Sequence, residues 1–244
     1  MPVTETIIDF AQLSAKKKHE LFDQLWSLDR EIFPLSKIED FYSYLHDLSA
    51  TSIPIVLYYD KDKLVGQNII QILKLKVHGK TLYVVSSRAG FLIDYRRRNL
   101  SLYSAIRVML QYKLKHPQHD VWFVPTLMQP KVYMLFACRT RHFYPRMNQT
   151  MPESHLELLK FLAQRKEHVE SRGQGIYVHP CDLPKITPEQ LIRLRRHGDI
   201  HVNFFMQYVP DYFSGFGMMC ICKLDLKTII ETTFNLISNR KIMN

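Results

Sequence analysis

Three consecutive arginines, Arg96, Arg97 and Arg98, stand between an apolar run and a helical pattern in GFLIDYRRRNLSLYSAIRVML, residues 90–110. Guanidinium groups chelate phosphate through paired N–H donors. A helix start adds unpaired backbone N–H groups and the positive end of the helix dipole. Apolar strand, basic turn and helix in direct succession therefore make a site for an anionic ligand. A solvated, positively charged turn is the alternative reading of the same residues. Local composition favours the ligand: from Phe91 to Thr150 there are ten Lys and Arg against two carboxylates, Asp94 and Asp120.

The elements that must position this turn follow from apolar spacing. Leu21, Phe22, Leu25 and Leu28 predict a helix over 14–29, with Ser14 as N-cap. Ile38, Phe41, Tyr42 and Leu45 predict a second over 36–49, where Ser36 and Glu39 form a capping-box signature. A meander of three strands follows over 53–94, with turns at Asp60–Lys63 and His78-Gly79-Lys80. Leu102, Ile106, Met109 and Leu110 predict a helix over 99–115, which Pro117 ends. A strand over 120–125 and a helix over 129–139 complete a βαβ step with its last two strands parallel. Beyond Pro145 the pattern predicts a helix over 153–169, a strand over 175–180 and a helix from Thr187. Strands over 201–210 and 217–225 and a helix over 225–237 end the series.

This order of elements, with Tyr95 leading into Arg96-Arg97-Arg98-Asn99-Leu100-Ser101, resembles the GNAT family of acyl-CoA N-acyltransferases. The family's donor-binding signature is Arg/Gln-x-x-Gly-x-Gly/Ala; here Asn99 and Ser101 occupy the two small-residue positions. The resemblance implies an α+β fold with a central, mostly antiparallel mixed sheet flanked by helices. It covers roughly residues 10–145 and implies a GNAT-like domain over 1–150, with an α/β extension over 151–244 that continues the sheet or forms an acceptor-side lobe. It further implies acetyl-CoA or another acyl-CoA as donor substrate. The acceptor is an amine, on a small molecule or as a protein lysine or N-terminus. The amides of Arg96, Arg97, Arg98, Asn99, Leu100 and Ser101 would hold the CoA pyrophosphate, and Phe91, Leu92 and Ile93 would pair with the pantetheine arm. The family often carries a tyrosine in its fourth helix as general acid. Phe136 stands near that place here, which leaves Tyr133, one turn earlier, and Tyr144, after the helix, as candidates.

Acyl transfer by direct attack needs a positioned amine, a donor to the oxyanion and an acceptor for the amine's proton. Backbone N–H groups of residues 89–93 can serve the oxyanion. From Leu64 to Ile93 there is no Asp or Glu, so Asp94 is the nearest carboxylate for the proton. Its other reading is an ion pair with the arginines, or a helix cap. Ser86, Ser87 and Arg88 either line an acceptor pocket or lie on a solvated face. His142, His179 and His201 sit in apolar context and read as structural.

Bulk composition bounds the alternatives. The chain has 244 residues, 46% hydrophobic and 23% charged, with a formal net charge of +10, which describes a globular protein that attracts phosphate-bearing partners. No Cys or His spacing matches a metal site, and Cys138, Cys181, Cys220 and Cys222 read as buried free thiols. No signal-peptide pattern and no run of the ~18–20 apolar residues that a membrane helix needs is present. The expectation is a soluble cytoplasmic protein. Two further functions stay open: a GNAT-like fold that binds CoA or a partner without catalysis, and a basic module that binds nucleic acid, although no recognisable nucleic-acid motif is present.

Overall fold

The computed structural model describes residues 3–96, 100–183, 189, 192, 198–238 and 240–242. Chain contacts divide it into two compact units, Met1–His119 and Asp120–Asn244.

In the first unit, β1 (Thr4–Asp9) precedes α1 (Ala15–Ile32) and α2 (Ile38–Leu45). Then come β2 (Ala50–Ser52), β3 (Pro54–Asp60), β4 (Lys63–Val77), β5 (Lys80–Phe91) and α3 (Leu100–Lys115). The strand pairs are antiparallel in the order β1-β3-β4-β5, and β2 takes the edge of β4 at Ser52↔Ile72. The β4–β5 register runs unbroken from Gly66↔Phe91 to Val77↔Lys80. The two-residue turn His78-Gly79 has positive φ at both positions, as a tight hairpin requires. One face of the sheet buries Ile55, Leu57 and Ile69 against Leu21, Phe22, Leu25, Phe41 and Leu45 of α1 and α2. The other face is covered by α3, which buries Leu102, Ala105, Val108 and Met109.

One cap assignment holds and one changes. Ser14 stands at the N-cap of α1 but its side chain makes no capping bond. The cap of α2 is Lys37, because Ser36 Oγ instead accepts from Arg88 Nη2 at 2.9 Å. β1 was not expected from the sequence. Asp9 at its end ties the strand down, its Oδ1 accepting from Ala11 N–H and Ile53 N–H.

In the second unit, β6 (Asp120–Phe123) pairs with a late strand, which draws residues from Asp120 onward into this unit. β7 (Thr126–Leu127), α4 (Pro130–Ala137), α5 (Glu153–Ala163), β8 (Glu170–Ser171) and β9 (Tyr177–Pro180) follow. The segment expected as a strand over 201–210 is a helix, α6 (Ile200–Tyr208). Asp199 Oδ1 caps it by accepting from His201 and Val202 N–H, and Val202 and Phe205 bury fully on one side. The apolar run after it breaks at Cys220 into β10 (Phe216–Met219) and β11 (Cys222–Lys223). β10 joins the sheet order β7-β10-β9-β8, and β11 pairs with β6. The last described helix is α7 (Leu226–Ile237), capped by Asp225 on Thr228 N–H. The helix expected from Thr187 falls outside the described residues except at 189 and 192.

Candidate functional site

β5 ends in a fastened turn. The Phe91 ring lies 4.7 Å from that of Tyr58 and covers Gly66, where a Cβ would overlap the ring. Only glycine admits the aromatic there. Leu92 is buried and its N–H donates to Val65 O at 2.9 Å, whereas the Ile93 and Asp94 side chains are exposed. A 3-10 turn over Ile93–Tyr95 follows. Tyr95 Oη donates to Asp60 Oδ2 at 2.7 Å, and Arg96 Nε reaches back to the Phe91 carbonyl at 2.9 Å. Burial lowers the Arg96 pKa from its ordinary value. Among the expected donor-binding residues, Phe91 and Leu92 thus give their side chains to the core, and Arg96 braces the turn. Arg97, Arg98 and Asn99 lie outside the described residues.

Across the turn, the first residues of α3 are held by the sheet beneath. Tyr58 Oη donates to Ser104 Oγ at 2.6 Å and approaches Leu100 O at 3.3 Å. Asn68 Nδ2 donates to Ser101 O at 3.1 Å and to Ser104 Oγ at 2.9 Å. Ser87 Oγ in turn donates to Asn68 Oδ1 at 2.6 Å, which orients the amide. Burial, foremost, pushes the Tyr58 phenol up to about 12, so it stays a donor at neutral pH. Asn68 Nδ2 and Ser104 Oγ both donate to the carbonyl of Ser101. The N–H groups of a helix's first turn have no intrahelical acceptor, so a helix start held in this way suits an anionic ligand. Asn68 and Ser104 escaped the sequence reading; their signal was a polar residue at a position where period 2 or 3.6 calls for an apolar one.

The polar residues of β5 divide between the two faces. Ser87 faces α3, while Ser86 and Arg88 face α1 and α2, so the three do not line one pocket. Arg88 holds Asp29, which is fully buried on α1, through Nε–Oδ1 at 2.9 Å and Nη2–Oδ2 at 2.6 Å. Its guanidinium stacks over Phe33 at 4.7 Å, and Gln67 Nε2 adds a third donor to Asp29 Oδ1 at 2.8 Å. A carboxylate therefore does stand against the central strands, supplied by a helix. Tyr44 Oη lies 3.2 Å from Ser86 Oγ, and burial pushes its phenol up to about 12.

Tyr133 and Tyr144 belong to the second unit, Asp94 and the turn to the first. Tyr133 is fully buried among Phe143, Phe204 and Phe205, and its Oη donates to Pro145 O at 2.8 Å. Burial raises its phenol well above the ordinary value. Tyr144 is buried at 7% exposure, its ring meets that of His155 edge-on at 5.2 Å, and burial raises its pKa too. The basic cluster is smaller than the sequence implied. Arg107 pairs with Glu5, and Lys113 Nζ donates to Pro117 O and His119 O. Arg139 donates to the carbonyls of Asn235 and Arg240, and buried Arg146 to those of Ala137 and Thr140. These four of the ten cations serve the architecture.

No family model matches the chain, and no curated protein does. Among solved structures, a conserved Enterococcus faecalis protein of unknown function is similar at 12% identity over 57% of this chain, with a TM-score of 0.39. The chain spans only 33% of that protein. A ribosomal-protein-alanine N-acetyltransferase from Brucella melitensis is similar at 18% identity over 51% of this chain and 79% of its own, with a TM-score of 0.32. An acyl-CoA N-acyltransferase from Pseudomonas aeruginosa is similar at 14% identity over 56% of this chain and 86% of its own, with a TM-score of 0.36. At such identities and scores these likenesses add nothing to what the residues of this chain say of function.

Proposed function

We propose that the chain transfers an acyl group from acyl-CoA, acetyl-CoA first among the donors, to an amine by direct attack. The observation that carries this reading is the first turn of α3, anchored by Tyr58 and Asn68 directly after the Arg96-braced end of β5. A pyrophosphate needs donors that are already fixed in place, and the hold of the sheet on Ser101 and Ser104 supports this reading. In this reading the amides from Arg96 to Ser101, with Arg97, Arg98, Asn99 and Leu100 between, cradle the pyrophosphate, and the backbone of Phe91, Leu92 and Ile93 follows the pantetheine. The proposed donor-binding residues all lie in the first unit, Met1–His119, and the reading places the protein in the cytoplasm.

The acceptor nitrogen attacks the thioester carbonyl, the C–S bond breaks, and an amide and a CoA thiolate result. Asp94, exposed at the strand end, takes the amine's proton. Water protonates the thiolate; Tyr133 keeps its own proton on Pro145 O. Incubation of the full chain with acetyl-CoA and longer acyl-CoAs against a panel of amines, read as free-thiol release, tests the reaction. Release that depends on the amine is the expected result.

A second reading, CoA binding without catalysis, is favoured by one observation: the carboxylate set against the central strands, Asp29, is fully engaged by Arg88 and Gln67. CoA binding without thiol release across the whole panel would select it. Nucleic-acid binding is weakened by the four cations tied into the fold.

A further inference from the structure

The helix α7 is amphipathic in reverse. Leu226, Ile230, Phe234 and Ile237 are 77%, 65%, 59% and 83% exposed. Their spacing places all four in one stripe along the helix. The buried positions of the same helix are polar, Thr228 and Asn235. This orientation is locked by directed bonds. Asn235 Nδ2 donates to Arg139 O at 3.0 Å and Asn235 O accepts from Arg139 Nη1 at 2.8 Å. Glu231 Oε2 accepts from Thr140 Oγ1 at 2.7 Å and from Arg141 N–H at 2.8 Å. Rotating the helix to bury the apolar stripe would break every one of these, so the stripe is held outward. Isolated exposed apolar residues are ordinary, but an aligned row of four is an interaction surface.

Charge identifies the occupant. Lys227 flanks the stripe in its first turn, and Arg240 and Lys241 follow its end; all three are exposed. The one carboxylate within the helix, Glu231, is turned inward, and Asp225 caps its start. The outward side is therefore apolar, with Lys227 beside the exposed Asp225 cap at its start and two cations past its end. A second copy packed stripe to stripe would set these cations against one another. A lipid surface, by contrast, accepts an apolar ridge of any sequence. We propose that α7 lies on an anionic membrane surface, the four apolar side chains among the acyl chains and Lys227, Arg240 and Lys241 at the headgroups. Among the described residues no helix is long and apolar enough to cross a membrane, so the contact is peripheral. It does not depend on the acyltransferase reading.

Co-sedimentation of the full chain with vesicles tests this, comparing phosphatidylcholine alone with equal parts phosphatidylcholine and phosphatidylglycerol. The expected result is partition into the anionic vesicles only, weakened by salt. The double variant Ile230→Ser/Phe234→Ser, altered only at exposed positions, should lower partition by about a hundredfold, and Lys227→Glu by at least about fivefold. An unchanged thermal unfolding midpoint confirms that the variants fold. Absence of partition into anionic vesicles at low salt overturns the proposal, as does equal partition into neutral vesicles. Partition unaffected by the double variant overturns it too. A concentration-dependent dimer that the double variant abolishes, without vesicle binding, assigns the stripe to a second copy instead.

Discussion

Arg88 of β5 and Asp29 of α1 meet in a two-point ion pair, with the carboxylate fully buried and the guanidinium stacked on Phe33. Removing one partner of a buried pair strands the other charge. Asp29→Ala should therefore cost about 3–5 kcal/mol, read by denaturant unfolding. The double variant Asp29→Leu/Arg88→Met removes both charges and should recover most of that loss. A double variant no better than Asp29→Ala would show that the pair is not the unit of stability.

The anchoring of α3 by Asn68 predicts a coupled effect. Asn68→Ala leaves Ser87 Oγ without its 2.6 Å partner and leaves the Ser104 hydroxyl alone to hold the carbonyl of Ser101. The expected cost is about 1–3 kcal/mol. In the acyl-CoA reading, CoA affinity falls with it, and falls further than for Arg107→Ala, which removes only the exposed pair with Glu5. Calorimetric titration of both variants with CoA makes the comparison.

The two tyrosines should separate. Tyr133→Phe leaves the buried Pro145 carbonyl without its donor and should destabilise by about 1–3 kcal/mol, with little effect on turnover per folded molecule. Tyr144→Phe should leave both stability and kcat nearly unchanged, as a thiolate protonated by water requires. Thiol-release kinetics on both variants checks the assignment.

His155 gives the second unit a pH dependence. Burial, with Lys223 next, lowers its pKa from 6.5 to about 4. The folded state thus favours the neutral ring. Above the unfolded value of 6.5 both states are neutral and the stabilisation is complete. It declines as pH drops below 6.5 and is exhausted below about 4, a change on the order of 3 kcal/mol. Thermal midpoints across this window should fall, and His155→Phe, which keeps a ring against Trp122 and Tyr144, should flatten the slope. An identical slope in the variant would assign it to other groups.

Much of the first unit was legible because each of its elements carries its own period. Leu21 to Leu28 announce α1, and the alternation from Ile55 to Val77 announces the meander. What escaped depends on partners distant in sequence. Ser36 reads locally as a capping residue, but Arg88, 52 residues later, recruits its hydroxyl. Asp29 occupies the apolar stripe of α1 between Leu25 and Ile32, and its burial makes sense only once Arg88 is seen to lie across from it, 59 residues away. The segment at 201–210 was misread because Phe204, Phe205 and Tyr208 favour strands by composition. The Asp199 cap and the aromatic bed around Tyr133 decided for a helix. The ten cations were countable, but which of them would bond to the fold, as Arg96 and Arg146 do, was not.

The central claim is that the anchored turn from β5 into α3 binds CoA. Thermal unfolding of the full chain with CoA, acetyl-CoA and longer acyl-CoAs tests it most directly, since a ligand that binds only the folded state stabilises it by about 2.7 kcal/mol at a hundred times its Kd. The account predicts a raised unfolding midpoint with CoA itself, diminished in Asn68→Ala. An unchanged midpoint with every CoA species at saturating concentration would contradict it.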